Sequence, residues 1–258
     1  MSGAVTTPAG RVVALARAEL TLFGRSKGMI VAAVFVPLAL PFTTRSLIAD
    51  MDLGDSGLSI GLVLLPGAIG LSLLFAVYSA LVGVLVGRRE ELVLKRLRTG
   101  ELRDREILAG AALPSVGTGL VQSLILAAGC AVLLDVPAPR APHLAVMGLL
   151  LGVVMCASLG AVTASFTRTV ESAQVTSLPM TMVSMAGSGI AVPLELLPDR
   201  VATVLELLPL TPVITLIRAG WTGDLSVHET VGPVLTALAW TALGVFAVRR
   251  WFRWEPRH

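Results

Sequence analysis

Two long apolar runs, each without a single charge, lie on either side of one densely charged stretch, and this constrains the chain more than any motif does. Ser56 to Gly87 contains no Asp, Glu, Lys or Arg, and neither does Ile107 to Leu134. About 20 apolar residues suffice for a helical membrane span. The composition agrees: 55% of residues are hydrophobic, 14% are charged and the mean hydropathy is +0.83, which excludes an ordinary soluble domain. Between the two runs lies Gly87 to Glu106, GRREELVLKRLRTGELRDRE, with seven basic and five acidic residues. Such a hinge has to remain in water.

The rest of the chain reads as an all-α integral membrane protein, a single transmembrane domain over residues 1–258. Residues 1–27 form a cytoplasmic amphipathic segment, in which Val12, Leu15, Ala16, Leu20 and Phe23 recur at helical spacing among Arg11, Arg17 and Arg25. That pattern suits a helix lying in the membrane interface. No short apolar core with a small-residue cleavage site precedes the first hydrophobic run, so the run is expected to be retained as a span. Six spans are expected: about Gly28 to Ile48, within Leu58 to Gly87, Ile107 to Leu134, His143 to Phe166, Ala173 to Val192 and Val231 to Val248. Thr167 to Ser172 reads as a tight polar turn. Residues 193–230 form an outer region in which Leu207 to Ile217, eleven uncharged residues, are too few to cross as a helix and are expected as a re-entrant or surface-lying hairpin.

Charge decides orientation. With both termini inside, sixteen of the 20 Lys and Arg fall on the cytoplasmic side, and only Arg45, Arg140, Arg200 and Arg218 fall outside it. Cytoplasmic loops are enriched in Lys and Arg, which places both termini and the hinge (88–106) in the cytoplasm of a bacterial-type cell membrane. Trp251, Phe252 and Trp254 beside Arg249, Arg250 and Arg253 read as an interfacial anchor. The basic residues are dispersed in loops, where the lipid surface accounts for them, so nucleic acid is excluded as a partner.

The chemistry that is missing matters as much. The uncharged parts of the spans hold no Asp, Glu, Lys or Arg, whereas proton-coupled carriers and intramembrane enzymes need titratable groups at depth. Glu90-Glu91 resembles the paired glutamates of intramembrane prenyl-protein proteases, but His143, His228 and His258 lie at edges or in tails. A phosphate-binding GxxxxGK[ST] loop is absent from the sequence, so the chain is read as no enzyme. Cys130 and Cys156 sit inside apolar runs without metal-ligand spacing. No cofactor or metal is expected on this chain.

In the hinge, Glu91, Lys95 and Arg98 fall at i, i+4 and i+7, which a continuous helix would place on one face with Glu91 and Lys95 paired. Leu92, Leu94 and Leu97 supply apolar contacts, and Thr99-Gly100 ends the pattern. This describes either a docking helix or a solvated loop that only sets topology. Gly83-x-x-x-Gly87 and Gly148-x-x-x-Gly152 permit close helix approach.

The stretch RREELVLKRLRTGELRDREILAG resembles the hinge of ABC transporter type 2 permeases, the drug and polysaccharide exporter class, where a run of the form RE…LKRLR…PL…REIL joins spans two and three. SGIAVPLELLPDRVATVLELLPLTPVITLIRAG is similar to that family's hairpin between spans five and six, at Gly189, Pro193, Leu197, Pro198, Leu208, Pro209, Pro212 and Arg218. The hinge departs from the pattern at Gly100-Glu101-Leu102, where a proline is common. The resemblance implies an exporter of hydrophobic drug-like or natural-product molecules. It further implies two permease copies, identical or closely related, and two ATP-binding cassette subunits that carry the ATP and Mg. Arg89, Glu90, Glu91, Lys95, Arg96, Arg98 and Glu101 would then couple to the ATPase. Polar residues in apolar runs become candidate pathway linings: Ser72, Tyr78, Gln122, Ser123, Thr163, Gln174, Thr181 and Ser184. Each equally fits helix packing. An ion-coupled secondary transporter and a non-transporting membrane scaffold remain the rival readings.

Overall fold

The computed structural model describes residues 60–100, 102–188 and 198–255. The expected interfacial segment 1–27, the first span from Gly28 to Ile48, Glu101, and Gly189, Pro193 and Leu197 of the hairpin lie outside them. Among the described residues the chain is all-helical, with no strand. The elements are α1 (Ile60–Ser72), a π-helical segment (Leu73–Ser79), α2 (Ala80–Glu90), α3 (Val93–Arg98), α4 (Asp104–Leu133), α5 (Pro142–Phe166), α6 (Val170–Gly187), α7 (Asp199–Glu206), α8 (Thr211–Thr222) and α9 (Val227–Trp251).

Among the described residues four helices are long and apolar enough to cross a membrane: Gly61–Glu90, Asp104–Leu133, Pro142–Phe166 and Val227–Trp251. The first is α1, the π segment and α2 run together. At 30 residues it is about 45 Å long, so it outruns a hydrocarbon layer of about 30 Å, as the long uncharged run requires. The expected fifth span is the helix α6. Its 18 residues include Glu171, Gln174, Thr176, Ser177 and Thr181, and it does not join the four by length and composition. The expected polar turn ahead of it is shorter than Thr167 to Ser172. Thr169 caps α6, its hydroxyl accepting from Ser172 N–H while the Ser172 hydroxyl accepts from Thr169 N–H, so the helix already starts at Val170.

The chain order brings two sets of loops to opposite ends. At one end lie the hinge, the Thr167–Thr169 turn and the residues after α9. At the other lie the α4–α5 loop, the end of α8 and the start of α9. There Ala141 N–H donates to Gly220 O at 2.9 Å and Arg140 to Thr222 O at 3.4 Å, tying the α4–α5 loop to the end of α8.

Helix α5 is the packing centre, in contact with α2, the π segment, α4, α6, α8 and α9. It packs closely against α8. A Cβ on Gly148 would stand 2.9 Å from Leu216 Cβ and 3.1 Å from Ile217 N, and one on Gly152 would stand 2.6 Å from Val213 Cγ1. From the other side, a Cβ on Gly220 would meet Ala145 Cβ at 2.5 Å. Ala145, Gly148 and Gly152 on α5 and Gly220 on α8 thus let the backbones touch, the usual substitute for a hydrophobic drive inside lipid. Helix α8 has Thr211, Pro212, Val213, Ile214, Leu216, Ile217, Ala219 and Gly220 buried, so it is packed into the bundle and is not laid on the surface. Arg218 is left half-buried on its remaining face.

The other small-residue motif behaves differently. A Cβ added to Gly83 would meet nothing within 4 Å, and one added to Gly87 would meet only Val170 Cγ2 at 3.4 Å. Only the motif on α5 is a contact. Replacing Gly148 or Gly220 by Leu should therefore cost about 1–3 kcal/mol or more through overpacking, whereas Gly83→Leu should stay within about 0.5 kcal/mol. Unfolding midpoints of the three purified variants, measured side by side in one detergent, check this ordering.

Candidate functional site: a hinge clamped at one end of the bundle

The hinge is not one helix. Helix α2 stops at Glu90, and Leu92 takes a left-handed conformation with φ 59° before α3 begins at Val93. A leucine there costs about 1–2 kcal/mol relative to the right-handed region. The kink corrects the expectation of a continuous face holding Glu91, Lys95 and Arg98, because the register is lost between Glu91 and Val93. Glu91 instead faces back to Arg88 at 3.9 Å. Lys95 reaches the residues after α9, its Nζ 2.9 Å from Glu255. Arg98 Nε lies 3.2 Å from Asp104 Oδ1, and its guanidinium sits 5.0 Å from the Trp254 ring centre. Trp254 packs edge-on against Phe252, with ring centres 5.0 Å apart. The aromatic tail, expected as a lipid anchor, thus folds back on α3. Each exposed ion pair contributes up to about 1 kcal/mol and the cation–π contact about 0.5–1. Two residues of the tail hold α3 in this way, and Leu94, only 1% exposed, supplies the apolar pin beneath.

Arg89 is the strongest anchor. Its side chain is 1% exposed, and its guanidinium donates to Ala164 O at 2.9 Å and also to Thr167 O. These carbonyls belong to the last turn and C-cap of α5, where helix carbonyls lack intrahelical partners and the dipole favours a cation. A planar fork can serve two acceptors at once, which an ammonium cannot match in geometry. Arg89 therefore joins the hinge to the α5–α6 turn, and of the described residues expected to contact an ATPase it is the one turned inward. Beside that turn Glu171 is fully exposed. Its own backbone N–H at the helix start, and then the Thr169 hydroxyl, hold its carboxyl below the usual range, so the turn keeps a negative charge into mildly acidic pH.

The outward side of the hinge carries Glu90, Glu91, Lys95, Arg96, Arg98 and Thr99, all exposed. Glu90 and Arg96 have no ion-pair partner among the described residues. At the start of α4, Glu106 Oε2 accepts from Arg103 N–H at 2.9 Å, completing the fold of the loop back into the bundle.

The polar residues expected along a pathway are mostly inside this one chain. Ser72 Oγ donates to Gln122 Oε1 at 2.7 Å, joining α1 to α4, and Tyr78 OH pairs with Thr163 Oγ1 at 3.0 Å, joining the π segment to α5. Ser123 donates to Gly119 O and Thr181 to Ser177 O within their own helices. Ser184 is buried, and its hydroxyl, like Gln122 Nε2, has no hydrogen-bond partner among the described residues. Gln174 is the exposed member of the eight, on α6 next to the exposed Val175 and Leu178. Of the hairpin residues, Pro198 caps the start of α7, and Pro209 and Pro212 are buried around the start of α8. Among the described residues no group of three or more His, Cys, Asp and Glu could hold a metal.

Several long apolar helices packed into one all-helical bundle define a multi-pass membrane protein. A family model described as ABC-2 type transporter matches residues 11–221, and the chain belongs to that family. Its membrane domain is a permease subunit of an ABC transporter. No curated protein matches the chain.

Arg89→Ala should leave two α5 carbonyls without a charged donor and lower stability by about 2–4 kcal/mol. Arg89→Lys should restore part of it. The position-specific readout is hydrogen exchange at the Thr167–Thr169 turn and the start of α6, which should accelerate in Arg89→Ala more than exchange elsewhere in α5.

Proposed function

We propose that this permease is the membrane half of an ATP-driven exporter for a hydrophobic, drug-like or natural-product molecule. It works as a pair of permease copies with two ATP-binding cassette subunits, which carry the ATP and Mg. The observation that carries this reading is the construction of the hinge. A six-residue helix is pinned from below by Leu94 and from one side by Glu255 and Trp254, and Arg89 just before it is tied to the α5–α6 turn, while Glu90 and Arg96 stay exposed with no ion-pair partner among the described residues. A loop that only sets topology has no use for such bracing. A coupling element has, because force applied to a floppy loop would not reach the spans.

The orientation that goes with this function places both termini and the hinge in the cytoplasm, with 193–230 outside. The arginine distribution supports it, since Arg88, Arg89, Arg103, Arg105, Arg168, Arg249 and Arg250 cluster at the hinge end. In the proposed six-span arrangement, residues 28–48 form the first span and α6 the fifth, and α7 with α8 form the re-entrant outer hairpin. The exposed face of α6, with Gln174, Val175, Leu178 and Met182, is the side offered to the second permease copy. There Gln174 borders the pathway. The buried pairs Ser72–Gln122 and Tyr78–Thr163 hold the bundle closed and reach the pathway only when it opens.

Exchanging the charges of Glu90 and Arg96 (Glu90→Arg with Arg96→Glu) keeps net charge and breaks no ion pair among the described residues. At a docked interface it sets like charges together, at a cost of roughly several kcal/mol. The variant should insert and fold normally yet lose most co-purifying ATPase and ATP-dependent transport. Full recovery of both would reduce the hinge to a topology signal. For orientation, Arg200→Cys should be labelled by an impermeant thiol reagent in intact cells. Labelling that requires permeabilisation would invert the arrangement.

A further inference from the structure

A groove of about 570 Å³ opens between α4 and α9 at the hinge end, floored by α5 and α2. It falls within the roughly 300–1,000 Å³ typical of small-molecule sites. The walls are apolar and follow helical spacing: Leu108 and Ala112 on α4, Val245 and Val248 on α9, with Ala157 and Ala161 beneath. Its mouth is charged. Arg105 and Arg249 both line it, both are exposed, and neither has an ion-pair partner among the described residues. The acidic residue at the same mouth, Asp104, is already offset by Arg98 at 3.2 Å. The groove therefore combines an apolar body at span depth with two uncompensated guanidiniums at the water boundary.

We propose that this groove is a binding site for an anionic phospholipid, with one acyl chain along the α4–α9 walls and the phosphate between Arg105 and Arg249. Basic pockets between membrane helices at the cytoplasmic face hold anionic headgroups by the same logic, with guanidinium suited to bidentate phosphate contact. The chain's own first apolar run is the competing occupant. Gly28 to Ile48 contains no acidic residue and is flanked by Arg25 and Lys27, so it would add positive charge beside Arg105 and Arg249. A lipid phosphate removes that imbalance. Only the assignment to the inner leaflet rests on the orientation proposed above; the occupancy does not.

The test uses the full-length permease purified in mild detergent, without ATPase, so that it is independent of coupling and sidedness. Native mass spectrometry after addition of equimolar phosphatidylglycerol and phosphatidylcholine should show the anionic lipid retained at least tenfold over the zwitterionic one. Arg105→Gln with Arg249→Gln should lower that retention tenfold or more while leaving the unfolding midpoint unchanged, since both side chains are exposed. Ala109→Trp, exposed on the same wall, should displace the lipid with both arginines intact. Glycerol phosphate at millimolar concentration should not compete, because it lacks the chain. Equal retention of the two lipids, wild-type retention by the double variant, or full competition by glycerol phosphate would overturn the proposal. So would quantitative cross-linking of Ala112→Cys to cysteines placed in residues 28–48.

Discussion

The close approach of α5 and α8 is the contact on which the rest of this bundle depends. Lipid tails are as apolar as leucine, so burying a leucine against another helix gains little inside a bilayer, and van der Waals contact has to hold the helices together. Gly148, Gly152 and Gly220 remove the side chains that would keep the two backbones apart. With α8 seated, its Ile214 reaches α1 opposite Gly70, and Leu73 of the π segment packs against Gly152. The long first helix is thereby held against α5 along its length, and its C-terminal end, which carries Arg89, is delivered to the last turn of α5.

That delivery links packing to coupling. Arg89 can satisfy the α5 carbonyls only because α2 and α5 end at the same level. Once seated, it makes the hinge and the α5–α6 turn move as one piece. A buried charge without partners would be costly, so the arrangement is close to all-or-none: either the fork is seated and the hinge is rigid, or α2 and α5 separate at that end. In the proposed coupling role, a displacement of the hinge is then a displacement of two spans.

The polar residues of the spans obey the same constraint. Ser72 with Gln122 and Tyr78 with Thr163 direct their hydrogen bonds to helix-to-helix contacts, where a lone hydroxyl or amide in hydrocarbon would be unfavourable. Tyr78 lies in the π-helical turn Leu73–Ser79, and such turns insert an extra residue into an α-helix, often at functional positions. The turn changes the facing of everything after it, including Arg89.

Helical membrane architecture, the four strongest spans and the position of the hinge were legible from the sequence, because hydropathy over 20 residues and the distribution of arginine depend on composition along the chain and not on contacts. Even the α5–α8 contact left a trace in Gly148-x-x-x-Gly152, although the identical spacing at Gly83 and Gly87 meant nothing. Spacing states what a helix permits, and only a neighbour decides whether it is used. The sequence could not show that Leu92 breaks the hinge, since nothing in a leucine announces a positive φ. Nor could it show that Lys95 pairs with Glu255, 160 residues away, or that Arg89 among seven hinge cations is the buried one. Those are properties of which helix ends meet in space. Local free energies set the elements, but the pairing of distant charges and the burial of one arginine were decided by tertiary packing, where small differences in contact distance outweigh any preference written along the chain.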